Sequence, residues 1–87
     1  MNEQCDAEMA PVPGGGTVVR AYTPYEVIAI NLRVDGRAYR AVAMAPYDHP
    51  DGRRAYRLCL WPALPDGART CWYWWDEQAM TRRDLRP

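Results

Sequence analysis

The sequence predicts a mainly β domain, in which about five antiparallel strands form a meander that ends in one short C-terminal helix. Three observations support this fold class. The dipeptide Asp-Gly recurs at positions 35, 51 and 66, and Asp-Gly favours the tight turns of hairpins. The segments that follow the three turns resemble one another, and apolar and polar residues alternate between the turns. Successive strands of one sheet have this pattern.

The length of 87 residues allows one small domain, and a hydrophobic content of 48% is enough for a packed core. Residues 1–16 contain few side chains that can pack, and they end in a stretch rich in proline and glycine. Such composition favours extended or flexible backbone. We therefore predict a flexible N-terminal tail at 1–16 and a single β domain at 17–87.

The first predicted strands are Thr17–Tyr22, which would be half-exposed, and the alternating run Ile28–Val34. A two-residue turn at positions 35 and 36 would place Val34 opposite Arg37 and would continue the apolar face onto the second strand of the hairpin. A helix over 24–32 is the alternative, because Thr23 to Glu26 has the pattern of a capping box. The β-branched residues that follow favour the strand.

The next hairpin is predicted to have its loop at residues 63–67. That loop would place Tyr56 opposite Trp74 on a face that belongs to the core, and Cys59 opposite Cys71 on the other face. The opposite face would carry a group of aromatic and arginine side chains, which are Arg57, Trp61, Arg69, Tyr73 and Trp75. An outward face is seldom so aromatic.

Alternation stops after Trp75, where Asp76 is expected to cap a helix running through Met80 to about Leu85. Together these elements predict either a strongly bent sheet or a small open barrel of SH3-like or Sm-like size. The C-terminal helix would cover one open end of this sheet or barrel.

Several function classes are disfavoured by composition. The chain has no serine and one histidine, so no catalytic constellation is expected and the protein is predicted not to be an enzyme. The loop containing Asp48, His49 and Asp51 is interrupted by Pro50 and is expected to be a solvated turn rather than a metal site. No cofactor is predicted.

Three cysteines without a C-x-x-C pair indicate reduced thiols rather than disulfides or zinc. A pairing of Cys59 with His49 for nucleophilic catalysis is disfavoured, because the thiol lacks an electropositive setting. No apolar run approaches the roughly 20 residues that span a bilayer. The expectation is a cytoplasmic protein without membrane contact.

The predicted site is the face that carries Arg57, Trp61, Arg69, Tyr73 and Trp75, because Trp, Tyr and Arg are enriched at binding hot spots. The competing interpretation is that the tail or the C-terminal helix covers these rings, with the arginines stacked on them. The predicted function is a non-enzymatic protein-binding module. It would be a small adaptor or inhibitor of a larger protein complex, such as an accessory or anti-defence protein of a phage or mobile element.

The alternative function is a small nucleic-acid-binding β-barrel that stacks bases on aromatic rings and uses arginine for phosphates. Arg53 and Arg54 would form a secondary basic patch beside the site. The formal net charge of zero weakens attraction to phosphate and disfavours this alternative. Homodimerisation through an exposed strand edge also stays open.

Overall fold

The computed structural model describes residues 5–15 and 17–83, and its regular structure is one antiparallel sheet. The strands are β1 (Ile28–Val34), β2 (Arg37–Asp48), β3 (Arg54–Trp61), β4 (Thr70–Trp74) and β5 (Met80–Arg82). Their spatial order is β4-β3-β2-β1-β5. Four consecutive strands therefore form a meander, and β5 joins the outer edge of β1. The predicted β fold with five strands is confirmed, and the sheet stays open instead of closing into a barrel.

The β1–β2 hairpin has the predicted register, in which Val34 is opposite Arg37 and Ile28 is opposite Ala43. Asp35 and Gly36 form its turn with φ angles of 50° and 77°. Left-handed backbone at both turn positions is characteristic of the hairpin turn whose twist matches that of the strands. The register of the first hairpin therefore follows from its turn residues.

Gly36→Ala is expected to lower the free energy of unfolding by about 1 kcal/mol, because an alanine is disfavoured at positive φ. A Cβ at Gly36 would meet nothing within 4 Å, so the loss comes from the backbone conformation alone. Urea denaturation measures it. Gly14→Ala is the control, since that site is equally open and has no φ in the left-handed range. Equal losses in the two variants would contradict the prediction.

The alternative helix over 24–32 is wrong. Glu26 donates its backbone N–H to the Thr23 carbonyl at 2.9 Å, and its carboxylate accepts from the Thr23 N–H at 3.1 Å. The capping pattern thus closes a single turn, and the chain then enters β1. The β-branched residues after the turn and the partner strand at their side account for this outcome.

An irregularity in β2 moves side chains from one face of the sheet to the other. The pairing between β2 and β3 shifts between Ala43 and Ala45, so Met44 is an extra residue in β2. Before the bulge, Ala41 and Ala43 face the main core, whereas Tyr47 after it belongs to a second cluster on the other side. We call the side of the main core the inner face and the other side the outer face. The buried residues of the inner face are Ile30, Leu32, Tyr39, Ala41, Ala43, Tyr56, Leu58, Leu60, Leu64, Tyr73, Ala79 and Met80.

The sheet is strongly bent around this core. In a flat sheet, four inter-strand spacings would separate β4 from β5 by about 19 Å. The Arg82 guanidinium carbon of β5 nevertheless lies 5.6 Å from the ring centroid of Trp75, the residue after β4. The two edges of the sheet therefore approach each other, as the predicted bent sheet requires.

Residues 5–11, here called the N-terminal segment, lie against the sheet. Glu8 accepts a hydrogen bond from the Trp74 N–H at 3.0 Å, and Ala10 donates to the Trp72 carbonyl at 2.9 Å. Ala7 donates to the Arg33 carbonyl of β1 at 2.7 Å. The boundary at residue 16 stays a prediction, but this part of the predicted tail is hydrogen-bonded along the free edge of β4.

The predicted register of the β3–β4 hairpin is wrong by one residue, because Cys59 is opposite Thr70 instead of Cys71. The turn is closed by a hydrogen bond from the Leu64 N–H to the Ala68 carbonyl, and the ladder begins with the Leu60 N–H and the Arg69 carbonyl. Three residues, 61–63, lie between these contacts on the β3 side and none on the β4 side. The pairing of β3 with β4 is therefore shifted by one residue from the predicted register. Neighbouring side chains of a strand point to opposite faces, so every side chain of β4 lies on the face opposite to the predicted one.

Two further predicted elements differ in the structure. Residues 17–22 form no strand, although Tyr22 and Arg20 donate to the Met44 and Pro46 carbonyls at 2.8 and 3.4 Å. The predicted C-terminal helix is replaced by one turn, in which Asp76 accepts from the Gln78 N–H at 2.9 Å, followed by β5. Pairing with the open edge of β1 outweighs helix formation there. The end of the predicted helix lies outside the described residues.

Candidate functional site

The structure separates the five residues of the predicted site. Arg57, Trp61 and Arg69 are exposed. Tyr73 is 1% exposed and lies in the main core, so it cannot contact a partner. Trp75 is half-buried and its ring lies 5.4 Å from that of Tyr56, also against the core. The shifted register of β4 explains why Tyr73 leaves the predicted face.

The aromatic residues that take this place on the outer face are Trp72 and Trp74, which pack with Tyr47 at ring distances of 5.2 and 6.4 Å. The N-terminal segment covers them, because Ala10 is buried in the same cluster and the Tyr47 hydroxyl donates to the Pro11 carbonyl at 2.6 Å. On the part of the outer face that carries Trp72 and Trp74, the N-terminal segment therefore covers the aromatic rings, as the competing interpretation expects.

The predicted secondary basic patch is neutralised by neighbours. The Arg53 guanidinium lies 4.0 Å from the Trp74 ring centroid and 3.8 Å from the Glu8 carboxylate. Arg54 forms two hydrogen bonds with Asp48, at 2.7 and 3.0 Å. This contact lowers the pKa of the Asp48 carboxyl and raises the pKa of the Arg54 guanidinium. Each arginine of this patch therefore lies within 4.0 Å of a carboxylate.

The part of the outer face that the N-terminal segment leaves exposed differs from the covered part, because its arginines have no carboxylate partner among the described residues. Arg20, Arg33, Arg53 and Arg54 pair with carboxylates elsewhere on the molecule. We call the exposed part of the outer face the Arg–Trp surface; it consists of Arg40, Arg57, Trp61, Arg69 and Arg83. Its positive charge is local, since the formal net charge of the whole chain is zero.

Trp61 is the centre of the Arg–Trp surface. Alternation along β3 directs its side chain outward beside Arg40 of β2, and 61% of it is exposed. The Arg69 guanidinium lies 5.2 Å from its ring centroid, within the range of a cation–π contact. An exposed indole with an arginine on its ring is the composition of a binding hot spot.

Arg83 is held in place by the backbone of the sheet. Its N–H donates to the Ala29 carbonyl at 2.8 Å, and its guanidinium donates from Nε to the Ile30 carbonyl and from Nη2 to the Ala41 carbonyl, both at 3.3 Å. The side chain is half-buried. Its charge is therefore positioned before any ligand arrives, which reduces the entropy lost on binding.

Two shallow grooves flank Trp61. One, of about 250 Å³, has Val42 and Cys59 as its floor and three arginines around it, which are Arg40, Arg69 and Arg83. The other, of about 380 Å³, lies on the side of Pro62 and includes Asn31. A ligand seated in the first groove would meet cationic walls and an apolar floor.

Neither the cysteines nor the histidine form a reactive pair. Cys59 lies on the outer face and Cys71 packs on the inner one, so no disulfide can join them in this fold. Burial raises the pKa of the Cys71 thiol. His49 Nδ1 lies 3.0 Å from an Asp51 oxygen, and within 5–15 and 17–83 no group of three His, Cys, Asp or Glu side chains converges on a common point.

In the described part of the chain, no helix has the length and apolar character needed to cross a membrane. Comparisons with models of known protein families, with curated proteins and with solved structures find no match.

Proposed function

We propose that this protein is a non-enzymatic binding module that recognises a larger protein through the Arg–Trp surface. The observation behind this proposal is Trp61, a tryptophan at the end of β3 that is 61% exposed, with Arg40 on the neighbouring strand and the Arg69 guanidinium at its ring. Tryptophan and arginine contribute large contact areas with few rotamers to lose, and they dominate the energetics of many interfaces.

The role we propose is that of an adaptor or inhibitor of a larger complex, of the kind that accessory proteins of phages and mobile elements provide, including inhibitors of defence systems. The small size of the domain and the exposed Arg–Trp surface support a role in which contact alone produces the effect. We place the protein in the cytoplasm, because three cysteines without a C-x-x-C pair are not the pattern of a disulfide framework of secreted domains.

A protein partner is favoured over nucleic acid by the shape of the aromatic surface. Binders of single strands stack successive bases on several exposed rings in a continuous basic groove. Trp72 and Trp74 would extend such a platform beyond Trp61, but the N-terminal segment covers them. A single exposed indole suits the pocket of a protein partner better than a run of bases.

Trp61→Ala is expected to weaken binding of the partner by about 30-fold, because truncating a hot-spot residue costs about 2 kcal/mol of binding free energy. Tagged protein is incubated with nuclease-treated lysate of the source organism, and the proteins that co-purify are quantified by mass spectrometry. The same comparison is repeated with the purified partner.

Tyr25→Ala is the matched control, since Tyr25 is 98% exposed on the turn before β1 and lies outside the Arg–Trp surface. Circular dichroism verifies that both variants are folded. A partner captured equally by wild type and Trp61→Ala would refute the proposed interface. Material that is captured only when nuclease is omitted would favour the nucleic-acid alternative instead.

A further inference from the structure

We infer that the groove beside Trp61 binds carboxylate side chains in an acidic stretch of the partner. This inference rests on the proposed function and names the chemistry that the Arg–Trp surface would recognise. The groove is the one with Val42 and Cys59 as its floor, and Arg40, Arg69 and Arg83 surround it.

The charge of the groove is the first argument. None of its three arginines forms an ion pair with a carboxylate in the described part of the chain, while the acidic side chains Asp6, Glu8, Glu26 and Asp48 pair with other arginines. Four of the acidic side chains that the structure describes are thus engaged away from the groove. An anionic ligand would supply a counter-charge that no described carboxylate provides to these three arginines by an ion pair.

The position of Arg83 is the second argument. Its Nε and Nη2 are engaged by the carbonyls of Ile30 and Ala41, which leaves the remaining N–H groups of the guanidinium available to a ligand. The side chain is half-buried, so an ion pair made there is less screened by salt than one between exposed side chains. A carboxylate matches the planar arrangement of guanidinium donors, and hydrogen bonds between these groups are among the stronger ones in proteins.

The size and the floor of the groove favour side chains over a polyphosphate backbone. A volume of about 250 Å³ is enough for one or two acidic side chains, whereas a nucleic-acid strand needs a groove that follows successive phosphates. Val42 and Cys59 are an apolar floor for the methylene groups of glutamate, and Trp61 lies at the edge for an apolar neighbour. The structure therefore favours an extended acidic peptide.

The test uses a fluorescein-labelled peptide of alternating Glu and Gly, compared with an otherwise identical peptide of alternating Gln and Gly. Anisotropy is measured with the full chain between about 20 and about 200 mM NaCl, because screening separates ionic from apolar binding over this range. The Glu peptide is expected to bind and the Gln peptide is not. Arg83→Gln is expected to weaken binding about 10-fold and Arg69→Gln about 3-fold, since an exposed ion pair contributes less than a half-buried one.

Arg37→Gln is the control variant, because Arg37 is also exposed but lines a different cavity with Val34 and Leu64. It removes the same charge and should leave binding of the Glu peptide unchanged. Arg83→Gln also removes hydrogen bonds to the backbone of the sheet. Arg69 makes its contact with the Trp61 ring instead, so Arg69→Gln tests the groove without disturbing the sheet.

Three results would overturn the inference: no preference for the Glu peptide over the Gln peptide, equal weakening by Arg37→Gln and Arg69→Gln, or tighter binding of a thymidine oligonucleotide of the same length. The last result would assign the groove to phosphates. Failure of the inference is distinguishable from failure of the proposed function. If Trp61→Ala still abolishes capture of the partner while the Glu peptide does not bind, the interface stands and only its acidic chemistry is refuted.

Discussion

Tyr73→Ala is expected to unfold most of the domain under conditions in which the wild type is folded. Tyr73 is 1% exposed in the core between Leu58 and Tyr56 of β3 and the rest of the inner face. Removing a buried aromatic ring costs about 4 kcal/mol, which is much of the stability of a domain of this size. Urea denaturation followed by circular dichroism measures the loss, with Tyr25→Ala as an exposed control.

Tyr73→Phe separates the ring from its hydroxyl. The Tyr73 hydroxyl is buried and no described protein group forms a hydrogen bond with it. Phenylalanine keeps the packing of the ring and removes the hydroxyl, whose burial without a hydrogen bond costs free energy. The variant is therefore expected to be more stable than the wild type by about 1 kcal/mol. A loss of stability in Tyr73→Phe would show that the hydroxyl is satisfied, and a fully folded Tyr73→Ala would refute the observed register of β4.

The same residue predicts how stability depends on alkaline pH. Burial raises the pKa of Tyr73 from 10.0 to about 12. Between these two values the unfolded chain loses a proton that the folded chain retains, so the free energy of unfolding decreases as the pH rises. The decrease should be shallower in Tyr73→Phe. It should not vanish, because burial also raises the pKa values of Tyr22 and Tyr47.

Deleting residues 1–11 is expected to expose the edge of β4 and to lower the free energy of unfolding by about 2 kcal/mol. The deletion removes the backbone hydrogen bonds of Glu8 and Ala10 to β4, and it exposes the rings of Trp72 and Trp74. An unpaired edge beside exposed aromatic rings also promotes association between chains. Size-exclusion chromatography over a range of concentrations detects that association.

Hydrogen exchange measures the local effect of this deletion. The Trp74 amide donates to the Glu8 carbonyl in the full chain, so it should exchange slowly there and rapidly in the shortened chain. Amides in the β2–β3 pairing between Arg40 and Ala43 are the internal control, because no hydrogen bond of residues 5–11 reaches that part of the sheet. A Trp74 amide that stays equally protected after the deletion would show that residues 5–11 do not occupy the edge of β4.

The first half of the sheet was predictable from sequence because its determinants are local. Asp35 and Gly36 specify a turn with left-handed backbone at two positions, and the alternation of Ile28 to Val34 then selects the register. The same period of two identifies Arg57 and Trp61 as outward-facing residues of β3. No contact with a distant part of the chain is needed for these conclusions.

The rest of the site required the tertiary structure. Tyr73 was misplaced because residues 61–63 have no counterparts on β4, and an asymmetric loop leaves no signal in the alternation of either strand. For the charged C-terminal stretch that contains Arg83, the sequence favours a solvated surface over a contact with phosphate or protein, because charged ends are usually solvated. What anchors Arg83 is a pair of carbonyls, at Ile30 and Ala41, that are remote in sequence.

The sequence alone therefore determined the β class, the first hairpin and the outward direction of Trp61, since turn chemistry and side-chain alternation act over a few residues. Tertiary structure decided which aromatic rings are accessible and where free positive charge collects. Both depend on contacts between distant segments, namely the N-terminal segment over Trp72 and Trp74, and β5 beside β1. Such contacts form because they improve the packing of the whole chain, and the local sequence pattern does not indicate them.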